Sequence, residues 1–379
     1  MSVKLNNPFV INSQYAGSKY FCDRLTETQE LVENIDNGRN TVLISPRRMG
    51  KSGLIQNCFA QKCIRSAYTT IYVDIYATST AREFTLLLGK EVFAVLKSSQ
   101  KRFSMKFFQY VKSLTGSASI DPMTGMPSLN IQLGQIREPD VTLEEIFQYL
   151  EASPKPCIVA IDEFQQIAEY PEKNMIASLR TFVQKCPQTR FIFSGSRRRM
   201  MERLFNSPSE PFYMSCRSMY LNAIDREIYY NFARKHFNEA GKEINKPCFD
   251  GIYDTYEGHT WYIQHLLNQL YQDTGKGMTA GSEMLENATA AIIQSYSRTY
   301  QGMMRTYSDR QKELMIAIAK EGKAEEISSE SFVKAHSLAS VSSVQSAARV
   351  LIEDETLTVE DKSYYLTNRF FSLWIKETY

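Results

Sequence analysis

Several things this chain lacks narrow its function before any motif is read. No two of its seven cysteines have C-x-x-C spacing, which excludes a zinc ribbon. Their odd number argues against a disulfide framework and for a reducing, cytoplasmic compartment. The four histidines, His236, His259, His265 and His336, contain no H-E-x-x-H motif. His259 and His265 are spaced too poorly to share one helix face, so no metalloprotease-type site can be drawn. Spacing suggests no Ser-His-Asp arrangement. No apolar run approaches the roughly 20 residues of a membrane helix. The amino-terminal MSVKLNNPFVINSQYAG is too polar for a secretory signal. The formal net charge of +2 gives no global basic field for nucleic acid, so any basic surface must be local. The N-K-x-D string of a guanine reader is also missing. The nearest string, NKPC at 245–248, lacks its aspartate, which favours adenine.

What remains is a chain of 379 residues, 43% hydrophobic and 23% charged, enough for two or three domains with a real core. ETQELVENIDNG reads as a helix with a glycine stop, followed by the buried strand TVLIS and the helical SGLIQNCFAQKCIRS. TTIYVDIY (69–76) is a second strand, and helical stretches are expected near 81–97 and 101–113. Residues 115–140, punctuated by Pro122, Gly125 and Pro127, suggest an inserted hairpin. The helix TLEEIFQYLEAS follows, with Thr142 as cap and Glu145 three residues on. CIVAID (157–162), a helix through about 185, RFIFSG (190–195) and SMYLNAI (218–224) come next. Strands alternating with helices predict an α/β core with a mostly parallel sheet covered on both faces. Residues 225–304 read as an all-α segment, and 305–379 as three helices plus the two-stranded wing TLTVEDKSYYLT, a winged helix.

The chemistry centres on SPRRMGKSG. The pattern G-x-x-x-x-G-K-S/T, set between a strand and a helix, cradles phosphate with backbone N–H groups at a helix N-terminus. Here Ser45 stands at the first glycine, followed by Pro46, Arg47, Arg48, Met49, Gly50, Lys51, Ser52 and Gly53. Gly50 allows close backbone approach, Lys51 is placed for terminal phosphates, and Ser52 offers a hydroxyl to Mg²⁺. Ser45 is small and ends the strand, so the loop is expected to function without that glycine. PCIVAIDEFQQI is an apolar strand ending in Asp162 and Glu163, at the sheet edge where ligands bind. Asp162 is expected to hold the metal's water shell and Glu163 to polarise an attacking water. Ser194, ending the RFIFSG strand, is a candidate for the γ-phosphate or that water. Arg217 is the first candidate for neutralising transition-state charge, with Arg47 and Arg48 as others. The run Arg197, Arg198, Arg199, at a helix start where cations are poorly placed, hints at an anionic partner.

Taken in order, these segments resemble the archaeal-type P-loop ATPases of the AAA+/STAND superfamily over nearly the whole chain. NPF (7–9) and YFCDRLTETQEL (20–31) are similar to that family's entry motif, and SPRRMGKSGL to its G-P-R-R-x-G-K-T-S-L loop. VAIDEFQ resembles its acid segment, FSGS its sensor strand, and CRSMYLNAID its G-R-x-x-x-I-x-L strand, with Cys216 replacing glycine. GHTWYIQHLLNQL resembles its G-x-P-x-Y lid motif, with Trp261 near the expected proline, and YYLTNRFFSLWIKE its final winged-helix segment. The resemblance implies a three-layer P-loop core over 1–224 with sheet order 5-1-4-3-2, an all-α lid over 225–304 and a winged helix over 305–379. It also implies ATP with Mg²⁺, with Phe21, Arg24, Gly258 and His259 joining the loop in holding the nucleotide. The expected activity is that of a switch ATPase. ATP would close the lid and winged helix over the sheet, hydrolysis would release them, and turnover would be slow or partner-dependent. The client would be an unknown protein, with oligomerisation open and no membrane contact. The rival expectation is a DNA-binding winged-helix regulator with a mainly structural nucleotide site. Its candidate recognition helix, SVSSVQSAARVLIEDE, carries only Arg349 as a base. A third reading uses the tyrosine-rich lid as a protein-interaction surface.

Overall fold

The computed structural model describes residues 7–11, 15–99, 106–120, 127–129, 136–360 and 362–379. Five strands form its main sheet: β1 (Thr41–Ile44), β2 (Thr69–Asp74), β3 (Cys157–Asp162), β4 (Arg190–Gly195) and β5 (Arg217–Tyr220). All pair in parallel, in the order 2-3-4-1-5, which is the expected order read from the other edge. The central strands β1 and β3 are buried along their whole length, as their unbroken apolar sequence requires.

Alternation along each strand divides the core into two layers. Val42, Ile44, Val159, Ile161, Phe191 and Phe193 face one cluster, covered by the helices Ala81–Ser99, Pro139–Glu151, Met175–Gln184 and Arg198–Asn206. Leu43, Ile158, Ala160 and Ile192 face the other, covered by α1 (Leu25–Asp36) and α2 (Lys51–Ala60). Phe164, directly after the acid pair, sits 4.6 Å from the Phe193 ring and 5.4 Å from Phe205. This aromatic packing anchors the end of β3.

Several boundaries differ from the sequence reading. The helix expected to run from β3 to about 185 is broken into a 3₁₀ turn, Phe164–Glu169, and a helix, Met175–Gln184. Glu163 enters the turn with φ 56°, a left-handed backbone that ends the strand and cannot continue an α-helix. The fifth strand closes at Tyr220, after which a single further bond runs from Leu221 N–H to Ile44 O. Of the helix expected at 101–113, residues 101–105 lie outside the described residues, and Phe107–Tyr110 is helical. Within 115–140, Ala118–Ile120 pairs antiparallel with Pro127–Leu129, and residues 121–126 and 130–135 lie outside the described residues. None of the seven cysteines is in a disulfide. No helix of the described residues is long and apolar enough to cross a membrane.

Contacts divide the chain into two compact units, Met1–Phe232 with Glu257–Gln264, and Ala233–Tyr256 with His265–Tyr379. The first therefore holds the sheet together with a short return from the segment expected as lid. The second contains the winged helix. Its helices Asp309–Glu321, Glu330–Ala335 and Val341–Glu353 precede the antiparallel pair Leu357–Glu360 and Ser363–Leu366, and Ala324–Glu325 adds a third strand. Ser308 caps the first of these helices in a full capping box with Gln311. The final helix, Arg369–Thr378, packs on Ser282–Thr306. Tyr300 lies 5.1 Å from Phe371, and the Trp374 indole N–H donates to Ser297 Oγ at 3.1 Å.

Candidate active site

The loop after β1 answers the question raised by Ser45. Its left-handed residues are Arg48, at φ 68°, and Gly50, at φ 91°. Ser45 is not among them, so its position makes no demand for glycine. Ser45 N–H still reaches Gly195 O at 3.5 Å, and its hydroxyl donates to Pro46 O at 2.9 Å. Gly50, which immediately precedes α2, is a second left-handed position, and a side chain there would be strained.

Around α2 the predicted groups converge. Lys51 is 6% exposed, and its Nζ makes long contacts to Ser45 O and Pro46 O, 3.4 and 3.5 Å. Burial pushes its pKa down, against the pull of Glu163 and Asp162. Ser52 Oγ donates to Asp162 Oδ2 at 2.6 Å, joining the loop helix to β3 across 110 residues of sequence. Asp162 is 3% exposed and fully solvated by protein. The Tyr72 hydroxyl also donates to Oδ2, while Ser194 Oγ and the Glu163 N–H, at 3.0 Å, donate to Oδ1. Burial alone would raise this carboxyl, but the Ser194, Ser52 and Tyr72 hydroxyls and the Lys51 charge outweigh it and hold it below the usual carboxylate range. Tyr72, on neighbouring β2, is pushed up by burial and by the Asp162 charge, so it remains a donor.

Glu163 points into a second set of contacts. Ser196 Oγ donates to its Oε2 at 2.7 Å, as does the Gln165 side-chain amide. Arg47 Nε reaches Ser196 Oγ at 3.4 Å, and its guanidinium lies 5.8 Å from the Tyr76 ring centre. A Cβ on Gly195 would come within 2.4 Å of Gln165 Oε1 and 2.5 Å of Met201 Sδ, so a side chain between the two serines would displace the ends of Gln165 and Met201. Asp74, in register with Asp162 on β2, adds another carboxylate, raised by burial and by the charges of Asp162 and Glu163.

Other expected site residues enter differently. Met49 is a core side chain, 4% exposed, that offers the site only its backbone. Arg24 is buried and donates to Met49 O, to Asn222 O at 2.6 Å and to Glu27, so it fastens the loop to the end of β5. Phe21 packs against the α1–α2 cluster, 5.6 Å from the Tyr15 ring. Pro46 is half-buried, and Gly53 is buried on the first turn of α2. Gly258, with φ 73°, turns the chain into His259, whose Nδ1 lies 3.2 Å from Arg47 O.

Two predicted roles meet geometry that does not suit them. Arg217 pairs with Thr41 at the start of β1, and its N–H donates to Asn40 O, whereas the phosphate loop leaves the opposite end of that strand. The structure does not bring Arg217 to the loop. Replacing Arg217 with alanine is therefore expected to leave phosphate release within about twofold of the parent. Ser194 is 0% exposed and committed to Asp162, while Ser196, two residues on, faces Glu163 and Arg47. Ser196, Tyr72 and Asp74 were missed by sequence reasoning. The available signal was their place at or near strand ends adjoining β3, legible only once the strand order is known. The basic run after β4 finds acids within the chain, with Arg197 paired to Glu169 and Arg198 to Glu202 at 3.0 Å.

A parallel sheet whose loop helix and acid strand converge on one edge, followed by a winged helix, defines the class of P-loop proteins that carry a winged helix. Residues 21–266 match a family described as an ATPase domain predominantly from Archaea, and residues 298–377 match a probable winged helix domain. The chain belongs to that archaeal-type ATPase family. Among solved structures it is similar to the Walker-type ATPase PABY2304 of Pyrococcus abyssi, with TM-score 0.66 and 16% identity over 97% of this chain and 99% of that one. It is also similar to the Aeropyrum pernix ORC1 protein in complex with DNA, with TM-score 0.53 and 12% identity over 98% and 96% of the two chains. The Aeropyrum pernix ORC2 protein, in ADPNP-ADP complexes, gives TM-score 0.51 and 12% identity over 98% of each. No curated protein matches the chain by sequence.

Proposed function

We propose that this protein is an Mg²⁺-dependent ATP-hydrolysing switch of the AAA+/STAND type acting on a protein client. The observation that carries this reading is the Ser52–Asp162 hydrogen bond, which unites the loop helix and the acid strand beside Lys51 and Glu163. Family membership supports ATP hydrolysis in general terms. The donor set supports the metal. An alcohol oxygen and an ionised carboxylate oxygen, 2.6 Å apart, form a hard all-oxygen pair suited to Mg²⁺ that keeps part of its water shell.

In this reading Lys51 and the loop N–H groups hold the terminal phosphates, and Ser52 and Asp162 hold the metal. Pro46, Met49, Gly50 and Gly53 shape the cradle through their backbone. Bound MgATP supplies the phosphoryl group and the metal's charge. Glu163 accepts a proton from the attacking water and is oriented for that task by Ser196 and Gln165. Arg47, within reach of Ser196, takes the charge-neutralising role first considered for Arg217. Phe21, Gly258 and His259 flank the base.

The DNA-reading alternative is less well supported. The helix Val341–Glu353 exposes Ser342, Gln345, Ser346, Val350 and Glu353 around its single base, Arg349. One preparation tests both readings. Titration with ATP should give saturable binding that EDTA weakens and phosphate release that requires Mg²⁺. Random duplex should bind weakly at about 50 mM salt and not at about 200 mM. Duplex binding that survives the higher salt, with no response to ATP, would reverse the order of the two readings.

A further inference from the structure

Three consecutive carbonyls of the phosphate loop are occupied from outside it. His259 Nδ1 lies 3.2 Å from Arg47 O, Thr260 Oγ1 and the Trp261 N–H donate to Arg48 O at 2.8 and 3.1 Å, and Arg24 donates to Met49 O. Most of these partners come from Glu257–Gln264, more than two hundred residues downstream yet within the same compact unit. The Trp261 N–H belongs to the first turn of the helix Thr260–Asp273, where no carbonyl of the helix can receive it. Arg48 O receives it instead.

The side chain of the same arginine closes the contact. Its guanidinium lies 4.1 Å from the Trp261 ring centre and 4.7 Å from that of Tyr262, and it donates to the Tyr262 hydroxyl. Tyr262 is 1% exposed, so its hydroxyl needs a polar partner, and Arg48 is one. Meanwhile Arg48 holds φ 68°, a backbone conformation unfavourable to any residue bearing a Cβ, which persists only where surrounding contacts enforce it.

We propose that Arg48 is a positioning residue: clasped between Trp261 and Tyr262, it holds the phosphate loop in its binding shape and is not itself a phosphate ligand. This rests on the nucleotide reading above and adds a role to it. The strained turn at Arg48 precedes Gly50 and Lys51 by two and three residues, so its conformation sets where the loop N–H groups and the lysine point. The stacked guanidinium is the fastener. Loss of either face of the stack should relax the loop, and nucleotide must then rebuild its shape on binding.

A double-mutant cycle on ADP affinity, measured by calorimetry with MgADP, separates this role from direct phosphate contact. Arg48→Ala and Trp261→Ala should each weaken ADP by about 5–20-fold, and the double variant should be no weaker than the worse single one within about twofold. Tyr262→Phe, which keeps the ring and removes the hydroxyl, should cost less than either. The proposal is overturned if Trp261→Ala binds ADP like the parent, or if the two losses multiply. Failure of the parent to bind ADP would sink the nucleotide reading, not the clasp. The clasp is then decided without nucleotide. With Trp374 replaced by phenylalanine, Trp261 is the sole tryptophan. Arg48→Ala should shift its emission, and an unchanged spectrum refutes the stack.

Discussion

Lys51→Ala should weaken ATP and ADP binding by about two orders of magnitude, the loss of a charge-assisted phosphate contact from a desolvated site. It should do so without lowering the melting temperature of the free protein. The second half of that expectation distinguishes a ligand-binding lysine from a structural one. Lys51 is 6% exposed, and among the described residues its ammonium has only long contacts, to two loop carbonyls. Burial disfavours its charged form, and the nearest acids offset this only in part. A cation kept under those terms costs the free protein stability, as groups poised for function do. Removing it spares that cost, although it leaves a small void. Thermal denaturation with and without MgADP reads both effects. The parent should be stabilised by the nucleotide in proportion to its affinity, and the variant should show almost no shift at the same concentration. A variant that melts well below the parent while still binding ADP would make Lys51 a structural residue and leave the phosphate site without its cation.

The parts of this site that were legible in the sequence are those encoded locally. A glycine-lysine pair between an apolar strand and a helix, and an acid pair ending another apolar strand, each carry their meaning within about ten residues. Their convergence followed from the rule that parallel strands present their carboxyl ends to one edge. That rule also exposes the weak point of the Arg217 assignment. Arg217 begins its strand, so it belongs to the edge away from the loop, and its register with Thr41 places it there. The mistake lay in treating closeness to a strand as closeness to the site. Ser194 and Ser196 show a finer limit. Two residues apart, they fall on the same side by alternation, and which of them meets Asp162 depends on a register against β3 that sequence alone does not set. The tyrosine on β2 that donates to Asp162, and the tryptophan clasp on Arg48, were beyond local reading altogether. Each joins segments separated by 90 residues or more.

Glu163→Gln isolates the chemical step. The amide oxygen of glutamine can still accept from Ser196 and from Gln165, so the side chain keeps the contacts that orient it. Asp162 is untouched, because it takes only the backbone N–H of residue 163. Folding and nucleotide affinity should therefore match the parent. What glutamine cannot do is take a proton from water. General-base removal costs about 10²–10⁴-fold, and phosphate release should fall by a factor in that range. Ser196→Ala supplies the contrast. It leaves the carboxylate in place but removes the hydroxyl that links Glu163 to Arg47, so its loss should be smaller and shared with Arg47→Ala, each lowering turnover with ADP affinity retained. Turnover of Glu163→Gln at the parental rate would move the base elsewhere, and Asp74, raised by burial and by the two neighbouring carboxylates, is the acid the site would then offer.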